Sequence, residues 1–237
     1  MKKLLSAILV IINLNCYAQA NKWFVSFSVT PTIGGPSASL KKQMIEQGLD
    51  HTSSFNFFGL GGTTKYPVAI KDAAVLLRGG ARLNERRSIY FIVGQAAAGS
   101  VEGFKNEGYS DWILIGGSYG QSLVVDYNTY QFTAGYMYSL SNTRSKIGFG
   151  PSFFLFDYSI TENNGSSESH SALSPGATFT ARVPLGREKK LFGVELVFEG
   201  NAAMPVKMKG EMEEINFQTG TVNMFSANIG IAFSFRK

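Results

Sequence analysis

From about residue 22 onward, apolar and polar positions alternate with a period of two. Tyr130, Phe132, Ala134, Tyr136 and Tyr138 share one parity; Gln131, Thr133, Gly135, Met137 and Ser139 share the other. The C-terminal stretch repeats this: Phe225, Ala227, Ile229, Ile231, Phe233 and Phe235 oppose Ser226, Asn228, Gly230, Ala232 and Ser234. Leu173, Ala177, Phe179, Ala181 and Val183 oppose Ser174, Gly176, Thr178, Thr180 and Arg182, and Phe192, Val194, Leu196 and Phe198 oppose Gly193, Glu195, Val197 and Glu199. Side chains alternate faces along a strand, so each run predicts a strand with one apolar face. Eight segments rich in Phe, Tyr, Val, Ile and Thr, bounded by Gly, Asn, Ser and charges, read as strands: about 22–33, 71–83, 88–101, 123–140, 146–161, 171–184, 191–207 and 218–235. Segments 88–101 and 146–161 are partly apolar on both parities, and neither is assigned a face.

The connections alternate in length. Residues 84–87, 141–145 and 185–190 are short polar turns; 34–70, 102–122, 162–170 and 208–217 are longer. The pattern is an up-and-down meander with turns at one end and loops at the other. Charge divides the same way, with Arg86, Arg87, Arg144, Lys189 and Lys190 at the turn end and Glu46, Asp50, Glu107, Glu162 and Glu168 at the loop end. One helix is expected in the first loop, Ser39–Gly48, capped by Ser39 and ended by Gly48, with Leu40, Met44 and Ile45 as a small apolar stripe covering a barrel mouth.

Eight antiparallel strands with one apolar face allow two barrels: a soluble lipocalin-like one with the apolar face inward, or a membrane one with it outward. The composition of the polar face decides. A water-facing sheet carries Lys, Glu, Arg and Asp freely. Here that face is mostly Ser, Thr, Gly, Asn and Ala, small enough for the interior of an eight-stranded barrel. Its charges are Arg78 and Arg82 in the second segment, Arg182 in the sixth, and Glu195 and Glu199 in the seventh. Buried charges must pair, and these are of both signs. The sixth and seventh segments are neighbours, so Arg182 reaches a glutamate along the wall; Arg78 and Arg82 reach one across the lumen. An all-β, eight-stranded antiparallel up-and-down transmembrane barrel follows, its lumen plugged by an Arg/Glu network. Trp23 and Tyr90 at the turn end, and Trp112, Tyr127 and Tyr158 toward the loops, are expected to form interfacial girdles.

The first twenty residues stand apart. Lys2 and Lys3, an apolar run from Leu4 to Ile12, and Ala18-Gln-Ala20 make a signal peptide. The run is too short to span a bilayer as a helix. Cys16 raises lipidation, but Asn15 before it fits that poorly. The expected mature barrel, 21–237, keeps 20 basic and 17 acidic residues and no cysteine, so neither nucleic-acid binding nor a disulfide is implied.

The whole mature chain resembles the small outer-membrane β-barrels of Gram-negative bacteria. The best carrier is Asn228-Ile-Gly-Ile-Ala-Phe-Ser-Phe235, similar to the alternating C-terminal signal read by the outer-membrane assembly machinery; Ile229, Ile231, Phe233 and Phe235 form its apolar row, with Arg236 and Lys237 following where the pattern usually closes on an aromatic. The resemblance implies an outer-membrane monomer in contact with lipid, termini in the periplasm, and no appended periplasmic domain.

Catalytic chemistry is thin. His51 and His170 are the only histidines. Ser169-His170-Ser171 with Glu168 or Glu162 supplies the residue types of a hydrolytic triad, and a lipid-modifying enzyme is the weaker alternative. A flexible solvated loop is the plainer reading, so no catalytic residue, cofactor or metal is expected. The acidic set Glu211, Glu213 and Glu214 reads as a charged loop tip. Gly59-Leu-Gly-Gly62 and Gly116-Gly-Ser-Tyr-Gly120 precede no helix and read as bends or bulges near strand ends. Function is expected in loops 34–70 and 102–122, as structural support, adhesion or surface recognition.

Overall fold

A computed structural model describes residues 23–57, 60–84, 86–112, 115–140, 144–162, 165–185, 192–209, 211–212 and 217–236. The expected signal peptide, Cys16 and the Glu213/Glu214 pair lie outside these residues.

Eight long strands form the wall: β1 (Trp23–Thr30), β2 (Ala74–Arg82), β3 (Arg87–Trp112), β4 (Ile115–Ser139), β5 (Lys146–Glu162), β6 (Ser167–Pro184), β7 (Phe192–Ala203) and β8 (Ser226–Arg236). Each pairs antiparallel with its sequence neighbours, and β8 pairs with β1 from Phe24↔Arg236 to Val29↔Ile231, so every wall strand is bonded on both sides. A ring of this kind satisfies the backbone without water. The turn at 83–86 is held by Asn84, whose Oδ1 accepts from the amides of Arg86 (3.0 Å) and Arg87 (2.9 Å).

Two expected loops are largely strand. Segment 102–122 is no loop, because β3 runs to Trp112 and β4 starts at Ile115, register-paired to Trp112↔Ile115. Of residues 162–170, Glu162 ends β5 and 167–170 already belong to β6. In the other direction, the last segment contracts to Ser226–Arg236, and 206–207 pairs with 221–222 in a small loop ribbon. Within the first loop, Thr52–Phe57 and Leu60–Lys65 form a hairpin that joins β4 at 115–117, and Val68–Asp72 extends the wall beside β3. The Gly116–Gly120 run therefore lies inside β4; the nearby bulge is on the facing strand, between Asn106 and Gly108.

Helix α1 spans Pro36–Glu46, so it starts three residues before Ser39, with Pro36 in its first turn and Gly35 as N-cap. Ser39 does not cap it; its Oγ accepts from the Asn223 amide at 2.9 Å. The C-terminal end matches expectation. Gly48 has φ +75°, the Gly48 amide donates to Ile45 O (3.1 Å) and the Leu49 amide to Met44 O (2.8 Å). This is a Schellman ending, completed by apolar contact between Leu49 and Met44 in one buried cluster.

The wall's polarity reverses along its length. On β5, Ile147, Phe149, Pro151, Phe153 and Leu155 face outward, and Gly148, Gly150 and Ser152 inward. Above them Asp157, Ser159 and Thr161 take the outer face while Phe156, Tyr158 and Ile160 are buried inside. The same switch occurs on β4, where Tyr130–Tyr138 places its aromatics outward and Asn128 and Asp126 follow, and on β6, where Leu173 gives way to Ser171 and Ser169. The turn-end part thus has an apolar exterior and an interior that combines polar side chains with an apolar patch of Phe24, Leu76, Tyr90, Ile92 and Met137; the loop-end part has a polar exterior and an apolar interior. The outward apolar stretches on β4, β5 and β6 have about the 9–11 residues a tilted strand needs to cross a bilayer.

This reversal is why segments 88–101 and 146–161 show no single face. In β3 a bulge adds to it. The register skips Ala96 between Gln95 and Ala97, so inward positions pass from Ser88, Tyr90 and Ile92 to Ala97 and Val101.

Candidate functional site in the lumen and its loop-end cap

The inward parity of β1, β2, β6 and β7 brings four of the five expected charges together. Arg78 and Arg182 are 1% and 2% exposed, Glu195 and Glu199 1% and 2%. Arg78 binds Glu199 across the lumen as a two-pronged pair: Nε to Oε1 and Nη2 to Oε2, both 2.6 Å. Its Nη1 donates to Ser28 Oγ at 2.5 Å. Arg182 pairs with Glu195 on the adjacent strand, donates to Ser26 Oγ at 2.9 Å and lies over the Phe24 ring at 4.9 Å. A fork of donors meeting a carboxylate in two parallel bonds is the geometry that best offsets burial of the charges. Ser26 and Ser28 are partners the sequence reading did not single out; their alternation with Val25, Phe27 and Val29 was the available signal.

Arg82 does not join them. It is exposed at the turn rim, and its Nε donates to Asn84 O at 2.9 Å. It is the last residue of β2, register-paired with Ser88, and stands at the turn-end rim of the lumen.

Above the ion pairs lies a belt of neutral hydrogen bonds. Gln131 Nε2 donates to Thr133 and Thr178 (both 2.9 Å), Ser152 bonds both threonines at 2.7 Å, and Thr178 donates to Asn201 Oδ1 at 2.9 Å. Four wall strands, β4 to β7, are thereby joined through their inner faces. Higher again the lumen turns apolar. Leu123, Val125, Tyr127, Phe154, Phe156 and Ile160 meet Leu40 and Met44 of α1 and Val206, Met208 and Phe217 of the last loop in one buried cluster. The α1 stripe therefore faces into the mouth, except for Ile45, which is exposed.

The adjoining edge of the same α1 face fastens the last loop. Gln43 donates to Thr221 O (3.0 Å) and accepts from the Gly220 amide (3.0 Å); Gln47 donates to Gln218 O (2.9 Å) and accepts from the Gln218 amide (2.8 Å). One turn apart on the helix, the two side-chain amides pair with backbone as a neighbouring strand would. Their i, i+4 spacing was legible; their target was not.

The interfacial girdle is revised. Trp23 is 49% exposed and fits it, but Tyr90, Tyr127 and Tyr158 are 3%, 2% and 4% exposed and point inward. The side chain of Trp112 lies outside the described residues. Outward aromatics at the turn end are instead Tyr136, Tyr138, Phe149, Phe192 and Phe235. Ile229, Ile231, Phe233 and Phe235 all face outward on β8, and Phe192 packs on Phe233 and Phe235 at 6.2 and 5.5 Å.

No triad assembles around His170. Its Nε2 stands 3.3 Å from Glu168 Oε2 and its ring lies 5.5 Å from that of Tyr158, but Ser169 and Ser171 are on the outward parity of β6 and His170 on the inward one. Among the described residues no group of three His, Cys, Asp or Glu could hold a metal.

Beyond the apolar cap, the sheet of β3, β4 and the 52–65 hairpin projects past the outer apolar belt. Phe55 is paired with Gly62 and Gly117, and Phe57 with Leu60, which puts the three on one face. They are 63%, 50% and 76% exposed. Tyr119, two residues from Gly117 on β4, shares that face and is also exposed.

No protein-family model matches this sequence, and no curated protein does either. Solved structures do. Ail, the attachment invasion locus protein of Yersinia pestis, is 10% identical, with 92% of this chain and 100% of that one covered at a TM-score of 0.41. The outer membrane protein OprG from Pseudomonas aeruginosa is 10% identical over 91% of this chain and 96% of that one, TM-score 0.40. The outer membrane protein AlkL is 11% identical over 92% and 90%, TM-score 0.41. On its own geometry, with an apolar outer belt around a polar lumen, the chain is an eight-stranded β-barrel of the outer-membrane type.

Proposed function

We propose that the protein is a monomeric, non-enzymatic surface-recognition or adhesion barrel whose lumen is plugged and whose working surface is the projecting loop-end sheet. The observation that carries this is the exposed row of Phe55, Phe57, Leu60 and Tyr119, above the lipid belt on a wall anchored below. Large exposed apolar side chains grouped on one face mark contact sites, and loops on a rigid scaffold are where such contacts evolve. The Arg78–Glu199 and Arg182–Glu195 pairs, the hydroxyl belt and the α1 cap, at three levels of the lumen, support a plug over a transport path. The soluble-barrel alternative loses its basis, since the apolar face is outside.

Cells expressing the protein are expected to gain adhesion to protein-coated and cell-coated surfaces, and F55S/F57S/L60S to lose it at equal surface abundance. The same protein in planar bilayers is expected to pass no stepwise current. Equal adhesion of variant and parent, or regular conductance steps, would sink the reading.

Export and assembly belong to the same proposal. Signal cleavage after Ala20 and recognition of the Ile229–Phe235 row by the assembly machinery would place the mature chain in the outer membrane, bathed in lipid. F233S/F235S should therefore reduce the membrane-inserted, heat-modifiable form several-fold, and the inserted parent should have the mass of residues 21–237. Unchanged insertion, or a mass retaining the first twenty residues, would refute it.

A further inference from the structure

The turn end carries cations in positions the lumen does not use. Arg82, Arg86, Arg87 and Arg144 are exposed. They come from two turns held side by side, because β3 and β4 are neighbours and the Ser139 amide donates to Arg86 O at 2.8 Å. Glu85 is the one acid in the sequence of these turns, and the described carboxylates nearest this end, Glu195 and Glu199, are buried against arginines inside.

The surface just inside these turns is built for lipid. Arg87 is register-paired with Tyr138, and Tyr138 with Ile147; the next outward row is Ile89, Tyr136 and Phe149. Tyr136 and Phe149 are 68% and 62% exposed, Arg87 is exposed beside them, and the chain neighbours of these residues alternate inward. An outward arginine at the edge of an aromatic row places a guanidinium at headgroup depth with a surface for acyl chains beneath it. Short turns face the periplasm in barrels of this type, so the leaflet met here is the periplasmic one.

We propose that Arg86, Arg87 and Arg144 form a docking surface for the phosphate of anionic phospholipids in that leaflet, with Tyr136, Tyr138 and Phe149 contacting the chains. This rests on the membrane reading above. The charge argument is complementarity: these turns carry three arginines, Arg86, Arg87 and Arg144, against one acid, Glu85, in sequence, and Glu195 and Glu199 are committed to arginines inside, so the net positive surface attracts an anionic headgroup over a zwitterionic one. Each cation near an anionic surface contributes about a fivefold factor to the association equilibrium, so three together give a preference of roughly two orders of magnitude at low salt.

Trp23 is exposed at the same end, and Trp112 is the only other tryptophan, so W112F leaves a single reporter. The W112F protein would be folded into phosphatidylcholine vesicles containing a minor share of brominated phosphatidylglycerol or, separately, brominated phosphatidylcholine. Stronger Trp23 quenching by the brominated phosphatidylglycerol is expected, falling as salt is raised. R86Q/R87Q/R144Q should abolish the preference, whereas K65Q/K105Q at the loop end should leave it. Equal quenching by the two lipids, or a preference indifferent to salt and to the arginines, overturns the proposal while the heat-dependent gel shift still upholds the barrel. Absence of both the gel shift and any quenching would instead overturn the membrane reading. Should the triple variant not fold, the salt titration of the W112F protein decides alone.

Discussion

Glu199→Leu is expected to destabilise the folded barrel by about 3–5 kcal/mol, among the largest effects available to a single change in this chain. Glu199 accepts both prongs of the Arg78 fork in a lumen where each side chain is at most 2% exposed. Removing the carboxylate leaves a guanidinium that cannot be neutralised and keeps only Ser28 Oγ as its polar contact among the bonds described above. The cost is that of an uncompensated buried charge, so it should largely disappear when the charge goes too. R78M/E199L is expected to lie within about 1–2 kcal/mol of the parent, because well-packed apolar replacements of a buried pair are often neutral or better. Urea unfolding in lipid vesicles, followed by Trp fluorescence and gel mobility, measures all four corners of the cycle. If E199L alone is harmless, the pair does not hold the lumen, and the plug loses its main support.

A charge placed on the outer wall should report the reversal of polarity directly. Phe153→Arg is expected to cost about 2–4 kcal/mol, the penalty for arginine at mid-depth in hydrocarbon. Ser159→Arg, on the same strand and the same outward parity, is expected to cost about 0–1 kcal/mol, as at the interface. Both positions face out on β5 and differ only in height along it: Phe153 lies among Phe149, Pro151 and Leu155, and Ser159 between Asp157 and Thr161. The comparison uses the same unfolding measurement. Equal costs would mean that the apolar belt does not end where Leu155 gives way to Asp157, and that the projecting sheet is not clear of the lipid.

The two effects test different halves of one design. In the turn-end half, the sheet is greasy outside because lipid is its solvent, and its interior is filled by the two ion pairs, the hydroxyl belt and an apolar patch of Phe24, Leu76, Ile92 and Met137. In the loop-end half, water is outside, and the interior is an ordinary apolar core completed by α1 and the last loop. The same four strands β3–β6 serve both, and the switch takes place within a residue or two.

What the sequence by itself determined was the strand period, the number of wall strands and the direction in which the clean strands face. Period-two alternation leaves little freedom once a polar face of Ser, Thr, Gly and Asn is recognised as too small and too uncharged for water. The same parity put Arg78, Arg182, Glu195 and Glu199 inward, because their neighbours fixed the face on which they stand. Tertiary structure decided the rest. Arg82 obeys the parity of β2 yet is exposed, since height along the strand, which parity does not encode, carries it to the turn-end rim. Tyr90 and Tyr158 are amphipathic enough for either an interface or an interior and stand in the two segments without a single face, so only the assembled β3 and β5 turned them inward; Tyr127 already stands on the inward parity of β4, opposite Tyr130. Segment 102–122 looked like a loop because Gly, Lys, Asn and Asp interrupt it, but the pairing of β3 with β4 across two bulges supplies the backbone bonds that local propensity does not. Most of all, the ambiguous faces of 88–101 and 146–161 were not noise. A strand that passes from lipid to water exchanges its inside for its outside, and alternation alone cannot locate that boundary, because the solvent on each side is a property of the assembled barrel in its membrane and not of the chain.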